Sequence, residues 1–533
     1  MKFLIALLSA AVSLGGFWDF KFEEGTQLEQ ACDPSFTADD KMCVPGCWDM
    51  MPGYYLKRGT GLYRRTFTVE KDFRDAVLEV EGIGLRGRFA IDGRDLGEYR
   101  YPYAKLEIPL GRLSKGEHEI FAAIDNCFDN EKMKLALPFY DFYLFGGFYR
   151  GVRIVEKEPK IFVRTIDYRT GIIEVEVEGV KKFRKTLKNF KLWSPEEPNM
   201  TEIEVDGRKV RFGVRQIEAR DRKLWINGRE LFLKGVNRHD QSPFGGATVS
   251  ETEWLQDLRH LKELGGNFIR GAHYQQADRF LELCDEMGVL VWEESLGWGN
   301  GQEYTGTRDL VSDPEFRAMQ IRQTREMVRA SFNHPSVIIY AFLNEPGSDT
   351  QECKSLIDEL IATVKAENSG RLVTFACNLG DKDICNGNTD IVAFNTYPGL
   401  IPCFPGEPST FKGKVNADFD KLISGFRSKY PDKPIMVSET GYGAVYGWHD
   451  EASSICTEEF QVEYFTYVFE NLWNNPDVVG FSVWQMNDNR TYSRNSEKQP
   501  GKQFMGMSHA GLYSLYRQPK KSVETVRHYF SLK

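Results

Sequence analysis

The feature that most constrains this chain is the regular alternation of apolar runs and amphipathic segments after Leu224. One amphipathic segment, residues 253–264, places Trp254, Leu258 and Leu261 on one helical face. The apolar runs between such segments are typical of the strands of parallel βα units. The predicted strands are residues 232–236, 267–271, 289–292, 337–343, 372–376, 391–395, 435–438 and 479–484. Eight such units predict a (β/α)8 barrel, whose reactive groups lie at the C-terminal ends of its strands.

The part of the chain before the barrel is predicted to be all-β. From about residue 18 to residue 156, short alternating runs are separated by turn signals such as Asp92 followed by Gly93. This pattern predicts a β-sandwich. A second β stretch, from about residue 160 to residue 215, is unusually short for a sandwich.

The charge balance disfavours a nucleic-acid partner. The chain has 68 Lys and Arg against 77 Asp and Glu, a formal net charge of -9, which repels polyphosphates. The second β stretch contains a basic run made of Lys181, Lys182, Arg184, Lys185, Lys188 and Lys191. Six basic groups could meet phosphates, but a solvated strand face is the favoured interpretation. We therefore expect no nucleic-acid partner, and homo-oligomers stay possible.

The N-terminus has the features of a secretory signal over residues 1–16. Lys2 precedes the apolar residues 3–8, and small residues follow at positions 9–11. This reading predicts a secreted or lysosomal/vacuolar protein. The alternative is a first strand that starts early, in which case the protein is cytoplasmic. The longest apolar run, residues 3–14, is too short to span a bilayer, so no membrane span is expected.

Neither the cysteines nor the glycines indicate a cofactor or a metal. The ten cysteines are scattered without a C-x-x-C pair; Cys43 and Cys47 could bridge across a turn, and free buried thiols are an equally open alternative. Residues 82–87 match a dinucleotide-binding glycine pattern, but a strand follows where the phosphate site needs a helix. No Walker loop or H-E-x-x-H helix occurs. We expect neither cofactor nor metal.

Two glutamates follow predicted barrel strands at the same topological position. Asn344, Glu345 and Pro346 end the fourth strand, and Ser438 and Glu439 end the seventh. Strands four and seven lie across the barrel mouth from one another, so the two carboxylates can converge on one bound atom. Hydrolysis of an acetal needs such a pair, one acid to protonate the leaving oxygen and one carboxylate to meet the developing oxocarbenium charge.

Other polar and aromatic residues also stand at strand ends. A lone histidine or tryptophan is more often a core residue than a ligand, so none of them identifies a site unaided. These residues are Arg270 and His273 after strand two, Asn395 and Tyr397 after strand six, and Trp484 after strand eight.

At these positions the chain resembles glycoside hydrolase family 2, which contains β-galactosidases, β-glucuronidases and β-mannosidases. Residues 141–150 look like the end of the family's sugar-binding jelly roll, and residues 192–198 are similar to its immunoglobulin-like linker domain. Residues 232–240, which include His239, match the family's barrel entry. Residues 344–346 resemble its acid/base motif and residues 438–441 its nucleophile motif.

The resemblance implies a role for each matching residue. Glu345 would be the acid/base, Glu439 the nucleophile and Asn344 the partner of the hydroxyl beside the reacting carbon. Tyr397 would hydrogen-bond the nucleophile. The other substrate-binding residues would be Arg270, His239, His273, Asn395 and Trp484, with Asp141 reaching in from the jelly roll.

The resemblance also implies a domain order. We expect a signal peptide at residues 1–16, a jelly roll at 17–158, a truncated immunoglobulin-like domain at 159–215 and the catalytic TIM barrel at 216–533.

Two departures from the family pattern bear on specificity. The immunoglobulin-like stretch is clipped, and the Asn-x-Lys pair with which glucuronidases read the sugar carboxylate is missing from residues 507–513. The expected function is a retaining exo-β-glycosidase, a β-galactosidase slightly ahead of a β-glucuronidase or another β-uronidase. The rivals from other classes are a non-catalytic carbohydrate-binding protein and, more weakly, a nucleic-acid binder built on the basic run.

Overall fold

The structure is a computed structural model that describes residues 11–127, 142–298, 308–398, 408–491, 503–504 and 506–533. These residues form two compact units. The first contains the described residues up to 127, Leu144–Lys160 and Asp240–Ser250. The second contains residues 142–143, Ile161–His239 and the described residues from Glu251 onward.

The first unit is built from antiparallel strands and one short helix, α1 (Leu28–Ala31). A six-stranded sheet has the order β3-β2-β4-β9-β6-β7, and a four-stranded sheet has the order β1-β10-β5-β8. The strands are β1 (Val12–Ser13), β2 (Gly16–Glu24), β3 (Asp40–Val44), β4 (Gly59–Val69), β5 (Phe73–Val80), β6 (Arg86–Ile91), β7 (Arg94–Tyr99), β8 (Leu106–Leu113), β9 (Gly116–Asp125) and β10 (Val152–Glu156).

One apolar cluster joins both sheets of the first unit. Trp18 and Tyr63 come from the larger sheet, Leu78 and Ile108 from the smaller, and all four are buried in it. Alternating strands that share one core form a sandwich. The more specific assignment as a jelly roll stays a prediction.

The expected signal peptide overlaps residues that pack in this unit. Residues 1–10 lie outside the described residues, but β1 pairs with β10, and Leu14 is fully buried. The Leu14 carbonyl accepts hydrogen bonds from Trp18 Nε1 (2.8 Å) and Arg65 Nη1 (2.8 Å). The leader and the compartment stay predictions.

Three small antiparallel sheets precede the barrel in the second unit. The first two sheets share one core, to which Val175 and Ile203 belong. The strands are β11 (Ile161–Asp167), β12 (Ile172–Val177) and β13 (Lys181–Thr186) in one sheet, β14 (Thr201–Val205) and β15 (Arg208–Phe212) in the next, and β16 (Ile217–Arg220), β17 (Lys223–Ile226) and β18 (Arg229–Leu231) in the third. The name immunoglobulin-like stays a prediction for this region.

Eight parallel strands then close into a barrel. Most are continuous buried runs, as expected where helices cover the outside of a parallel sheet. They are β19 (Leu233–Arg238), β20 (Phe268–Gly271), β21 (Leu290–Trp298), β22 (Val337–Asn344), β23 (Leu372–Cys377), β24 (Val392–Asn395), β25 (Ile435–Thr440) and β26 (Val478–Val483).

Helices follow these strands. The sequence marks their ends: Asp313 caps α4 by accepting from the backbone N–H groups of Glu315 and Phe316, and Gly288 ends α3 at φ 66°. The helices are α2 (Glu251–Glu263), α3 (Asp278–Met287), α4 (Pro314–Ala330), α5 (Gln351–Ala366), α6 (Pro408–Lys429), α7 (Glu458–Leu472) and α8 (Ser522–Phe530). A last small sheet has the order β27 (Asn489–Arg490), β29 (Met507–Ser508), β28 (Gln503–Phe504).

The predicted fold class, all-β sheets followed by a (β/α)8 barrel, is confirmed. Each predicted barrel strand overlaps an observed one, and the main difference is β21, which continues six residues past its predicted end at Trp292 to Trp298. All nine described cysteines are free thiols, including Cys43 and Cys47. No helix within the described ranges is long and apolar enough to cross a membrane.

Candidate active site

A fully buried arginine organises the C-terminal end of the barrel. Arg270, on β20, donates from Nη1 to Glu439 Oε1 (2.5 Å) and Asn237 Oδ1 (3.0 Å), and from Nη2 to Asn344 Oδ1 (2.8 Å). Its Nε donates to Glu294 Oε2 (3.1 Å). Burial by itself lowers the pKa of Arg270, but the carboxylates of Glu294 and Glu439 outweigh burial and raise it above its ordinary value. Side chains from four other barrel strands are therefore tied to one permanent cation.

Both oxygens of Glu439 are held by neighbours. Oε1 accepts from Arg270 Nη1, and Oε2 accepts from the hydroxyl of Tyr397 (2.5 Å). The His273 Nε2 atom lies 3.9 Å from Oε1. The side chain is nearly buried, at 4% exposure. The carboxylate is thus fixed in orientation at the end of β25.

Glu345 lies in a different environment. It is half-buried, and two side-chain amides donate to it: Asn395 Nδ2 to Oε1 (2.9 Å) and Asn378 Nδ2 to Oε2 (3.2 Å). Leu343 and Glu345 both have positive φ, 53° and 51°, which is strained for residues other than glycine. This irregular end of β22 sets the direction of the Glu345 side chain.

Asn395 connects the surroundings of the two glutamates. Its Nδ2 donates to Asn344 Oδ1 (3.0 Å) as well as to Glu345, while its Oδ1 accepts from Ser438 Oγ (2.7 Å). Ser438 directly precedes Glu439. The ends of β22, β24 and β25 are therefore joined by side-chain hydrogen bonds, which hold the two carboxylates in a common frame.

Aromatic rings line one side of this frame. The His273 ring stacks on Trp484 at 5.4 Å, and His239 meets Trp484 edge to face at 5.3 Å. Phe142 lies 5.0 Å from His239 and 6.2 Å from His273. Flat apolar surfaces beside fixed polar groups are typical of sugar sites.

The structure brings together nearly all the residues that the sequence indicated. Asp141 lies outside the described residues, so its predicted place at the barrel mouth stays a prediction. The others belong to one connected cluster of hydrogen bonds, ion pairs and ring contacts: Arg270, His239, His273, Asn344, Glu345, Asn395, Tyr397, Glu439 and Trp484.

Sequence reasoning missed four members of the cluster. Glu294 and Asn237 bind Arg270, Asn378 binds Glu345, and Phe142 joins the rings. Glu294 follows a buried apolar run, so the rule that selected Glu345 and Glu439 could have found it. Asn378 directly follows the buried strand β23, so the same rule could have found it as well.

Glu293 shows why the sequence could not choose between two adjacent carboxylates. Both Glu293 and Glu294 are buried, but successive residues of a strand face opposite sides. Glu294 faces Arg270, whereas Glu293 accepts a hydrogen bond from the Gln276 backbone N–H (3.1 Å). Burial raises the pKa of Glu293 to about 7, and the hydrogen bonds from the Gln276 backbone N–H and from Ser331 lower it only in part.

This raised pKa makes folding stability depend on pH. Between about pH 4.3 and pH 7 the folded state keeps a proton on Glu293 that the unfolded state releases, so stability falls as pH rises and levels off above pH 7. Glu293→Gln should remove this fall and stabilise the protein by on the order of 3 kcal/mol at pH 8, with little change at pH 4. Urea unfolding at both pH values measures the free energy of unfolding of wild type and Glu293→Gln, with the exposed Glu117→Gln as control. An equal pH slope in wild type and Glu293→Gln would contradict the assignment.

Comparison with known proteins places the barrel in a family. A family model described as glycosyl hydrolases family 2, TIM barrel domain, matches residues 217–532, more than half of the chain. The chain belongs to glycosyl hydrolase family 2. Its barrel is accordingly that of an O-glycosyl hydrolase.

Two similar proteins are named beta-glucuronidase, and one similar solved structure is named beta-galacturonidase. A beta-glucuronidase from Streptococcus agalactiae is 24% identical over 601 residues, covering 98% of this chain and 97% of that protein. The Mus musculus beta-glucuronidase is 28% identical over 338 residues, covering 61% of this chain and 48% of that protein, so the chain matches about half of that relative's length. A solved GH2 beta-galacturonidase from Eisenbergiella tayi, bound to galacturonate, is 25% identical with a TM-score of 0.84, covering 98% of each chain.

No group of three or more His, Cys, Asp or Glu side chains in the described ranges could hold a metal ion. The charges that surround Glu439 come from Arg270 and Glu294.

Proposed function

We propose that this chain is a retaining exo-β-glycosidase that removes a terminal β-linked uronic acid, with β-glucuronides as the leading substrates. The observation that carries the proposal is the pair of glutamates at the ends of β22 and β25, which share one hydrogen-bonded frame but differ in environment. A retaining glycosidase needs two carboxyl groups with separate roles.

Glu439 is assigned as the nucleophile. Arg270 and Tyr397 orient its carboxylate and balance its charge, so that it can attack the anomeric carbon of a bound sugar and form a covalent glycosyl-enzyme. The negative charge of the attacking group is consumed as the bond forms. Hydrogen-bond donors already in place reduce the reorganisation that this step needs.

Glu345 is assigned as the acid/base. Two side-chain amides donate to its carboxyl group, and amide donors can bind that group in either protonation state. In the first step it protonates the departing glycosidic oxygen, and in the second it takes a proton from the water that releases the sugar. Asn344 would bind the hydroxyl next to the reacting carbon.

The sugar specificity rests on two observations that point in different directions. Relatives named beta-glucuronidase and beta-galacturonidase favour a uronide and give no support to the galactoside preference inferred from the sequence. Residues 507–513, which contain neither Asn nor Lys where the glucuronidase pair is expected, favour a neutral β-galactoside, which is therefore the second candidate.

A cation on the neighbouring strand can take the place of the missing pair. Arg490, on β27, pairs with Met507 on β29, within the segment that carries Ser508. Its carbonyl accepts from the Tyr143 backbone N–H (2.9 Å), one residue from the ring of Phe142 at the aromatic wall. Arg490 would bind the sugar carboxylate by charge-assisted hydrogen bonds.

A substrate panel tests this proposal. The p-nitrophenyl β-glucuronide and β-galacturonide should give higher kcat/KM than the β-galactoside, and the α-glucuronide should not be cleaved. Arg490→Gln should lower kcat/KM on β-uronides roughly 10- to 100-fold and leave the β-galactoside unchanged. A β-galactoside that is cleaved faster than both uronides would establish the second candidate. Equal losses on all sugars would show that Arg490 does not read the carboxylate.

A further inference from the structure

The basic run of the second unit divides into two halves that the sequence does not distinguish. Lys181 pairs with Asp206 (2.5 Å), Lys182 with Glu174 (2.8 Å) and Arg184 with Glu174 (3.6 Å). Within the described ranges, the other three basic residues form no ion pair. These three are Lys185, Lys188 and Lys191, and all three line one groove of about 620 Å³.

The groove exists because the small sandwich is incomplete. Phe183 and Lys185 on β13 pair with Val175 and Ile173, so they lie on the face of the sheet that carries the core. Both are nevertheless exposed, since the facing sheet contains only β14 and β15. The end of β13, the loop after it and the free edge of β14 form the walls of the open space.

The charge inside the groove is positive and uncompensated. Its only carboxylate among the described lining residues, Glu202, is neutralised by Lys209 (2.9 Å). Lysines on an edge strand commonly prevent edge-to-edge association. That role suits Lys185, whereas Lys188 and Lys191 stand in the loop beyond β13 and not on an edge strand.

We propose that this groove, lined by Lys185, Lys188 and Lys191, binds an anionic glycan chain. Three unpaired ammonium groups in a chain of net charge -9 form a local attraction for carboxylate or sulfate groups. A glycan is favoured over a nucleic acid because the run offers little aromatic surface: Lys181 lies over one face of Phe183 at 5.8 Å, and Phe190 is half-buried against Gly171. Single-stranded nucleic acids are held largely by free aromatic faces on which bases stack.

The groove would act as a second attachment point on polymeric substrates. An exo-acting site holds one chain end at a time, and a separate weak site on the same protein raises the effective concentration of further ends. This role on polymers rests on the proposed exo-glycosidase function, whereas binding at the groove rests on its charge. It does not depend on which sugar the barrel cleaves.

The test compares binding of the full-length chain to polygalacturonate for wild type and Lys185→Gln/Lys188→Gln/Lys191→Gln. The matched control is Lys71→Gln/Lys115→Gln/Lys157→Gln, three exposed lysines without ion pairs in the described chain. At 50 mM NaCl the groove variant should bind about tenfold more weakly, the control should bind like wild type, and 500 mM NaCl should abolish the difference. Turnover of a small chromogenic glycoside and the melting temperature should be the same in all three proteins.

Equal affinity of the groove variant and wild type would overturn the proposal. Equally strong binding to neutral dextran, or tighter binding to a single-stranded DNA oligonucleotide than to polygalacturonate, would also overturn it, the latter in favour of nucleic acid. Because binding is read without catalysis, failure to cleave any glycoside would reject the proposed function and leave this test intact.

Discussion

Glu439→Ala is expected to lower kcat by at least about 10⁴-fold on every glycoside that the wild-type protein cleaves. The carboxylate is the group that would form the covalent intermediate, and Arg270 and Tyr397 hold it in place. The quality of the leaving group should not matter, because the first bond to the anomeric carbon cannot form. Steady-state kinetics with alkyl and dinitrophenyl glycosides measure both points.

Glu345→Ala should fail in a different way. Loss of the proton donor should lower kcat roughly 10²- to 10⁴-fold on alkyl glycosides, because their leaving oxygen needs a proton. The rate of the first step should fall much less with dinitrophenyl glycosides. A burst of dinitrophenol followed by slow turnover would show the accumulated glycosyl-enzyme. Glu352→Ala, an exposed glutamate on α5, serves as the control. Similar leaving-group dependence in both active-site variants would contradict the separate roles.

Arg270→Met is expected to be the most destabilising substitution in the site. It leaves Glu294 and Glu439 buried without their cation. Removal of one partner of a buried ion pair lowers the free energy of unfolding by about 3–5 kcal/mol. Activity should fall by at least about 10²-fold, because Arg270 also fixes the Asn344 side chain. Urea unfolding and kcat measure the two effects.

A second variant separates stability from positioning. Arg270→Met/Glu294→Leu removes one of the stranded carboxylates, so it should recover part of the lost stability without recovering activity. The control is Arg322→Met, which breaks an exposed ion pair to Glu326 and should change stability by less than about 1 kcal/mol. Stability of Arg270→Met within 1 kcal/mol of wild type would refute the central place given to this arginine.

The barrel and its two glutamates were predictable because both signals are local. Most of the strands contain an apolar run, and topology places the residue after such a run at the barrel mouth. Arg270 was recognised as a strand-end residue, but its contacts were not, since they join residues that are far apart in sequence. The choice between Glu293 and Glu294 depends on which face of β21 turns inward, and two adjacent glutamates give no alternation to decide it.

The lysine-lined groove shows a second limit of prediction from sequence. The sequence revealed both a short second β stretch and a basic run, and a solvated strand face was the favoured interpretation of the run. That reading describes Lys181, Lys182 and Arg184, whose charges are paired with acidic groups. Pairing of side chains across strands is not encoded in the local pattern, so the three unpaired lysines could not be singled out.

The most direct measurement of the proposed mechanism is the anomeric configuration of the azides formed when sodium azide rescues the two active-site variants. In Glu345→Ala, azide should attack the glycosyl-enzyme and give the β-glycosyl azide. In Glu439→Ala, azide should take the position of the missing nucleophile and give the α-glycosyl azide. Proton NMR distinguishes the two products. An α-azide from Glu439→Ala and a β-azide from Glu345→Ala are the predicted results, and the same anomer from both variants would contradict the assignment of nucleophile and acid/base.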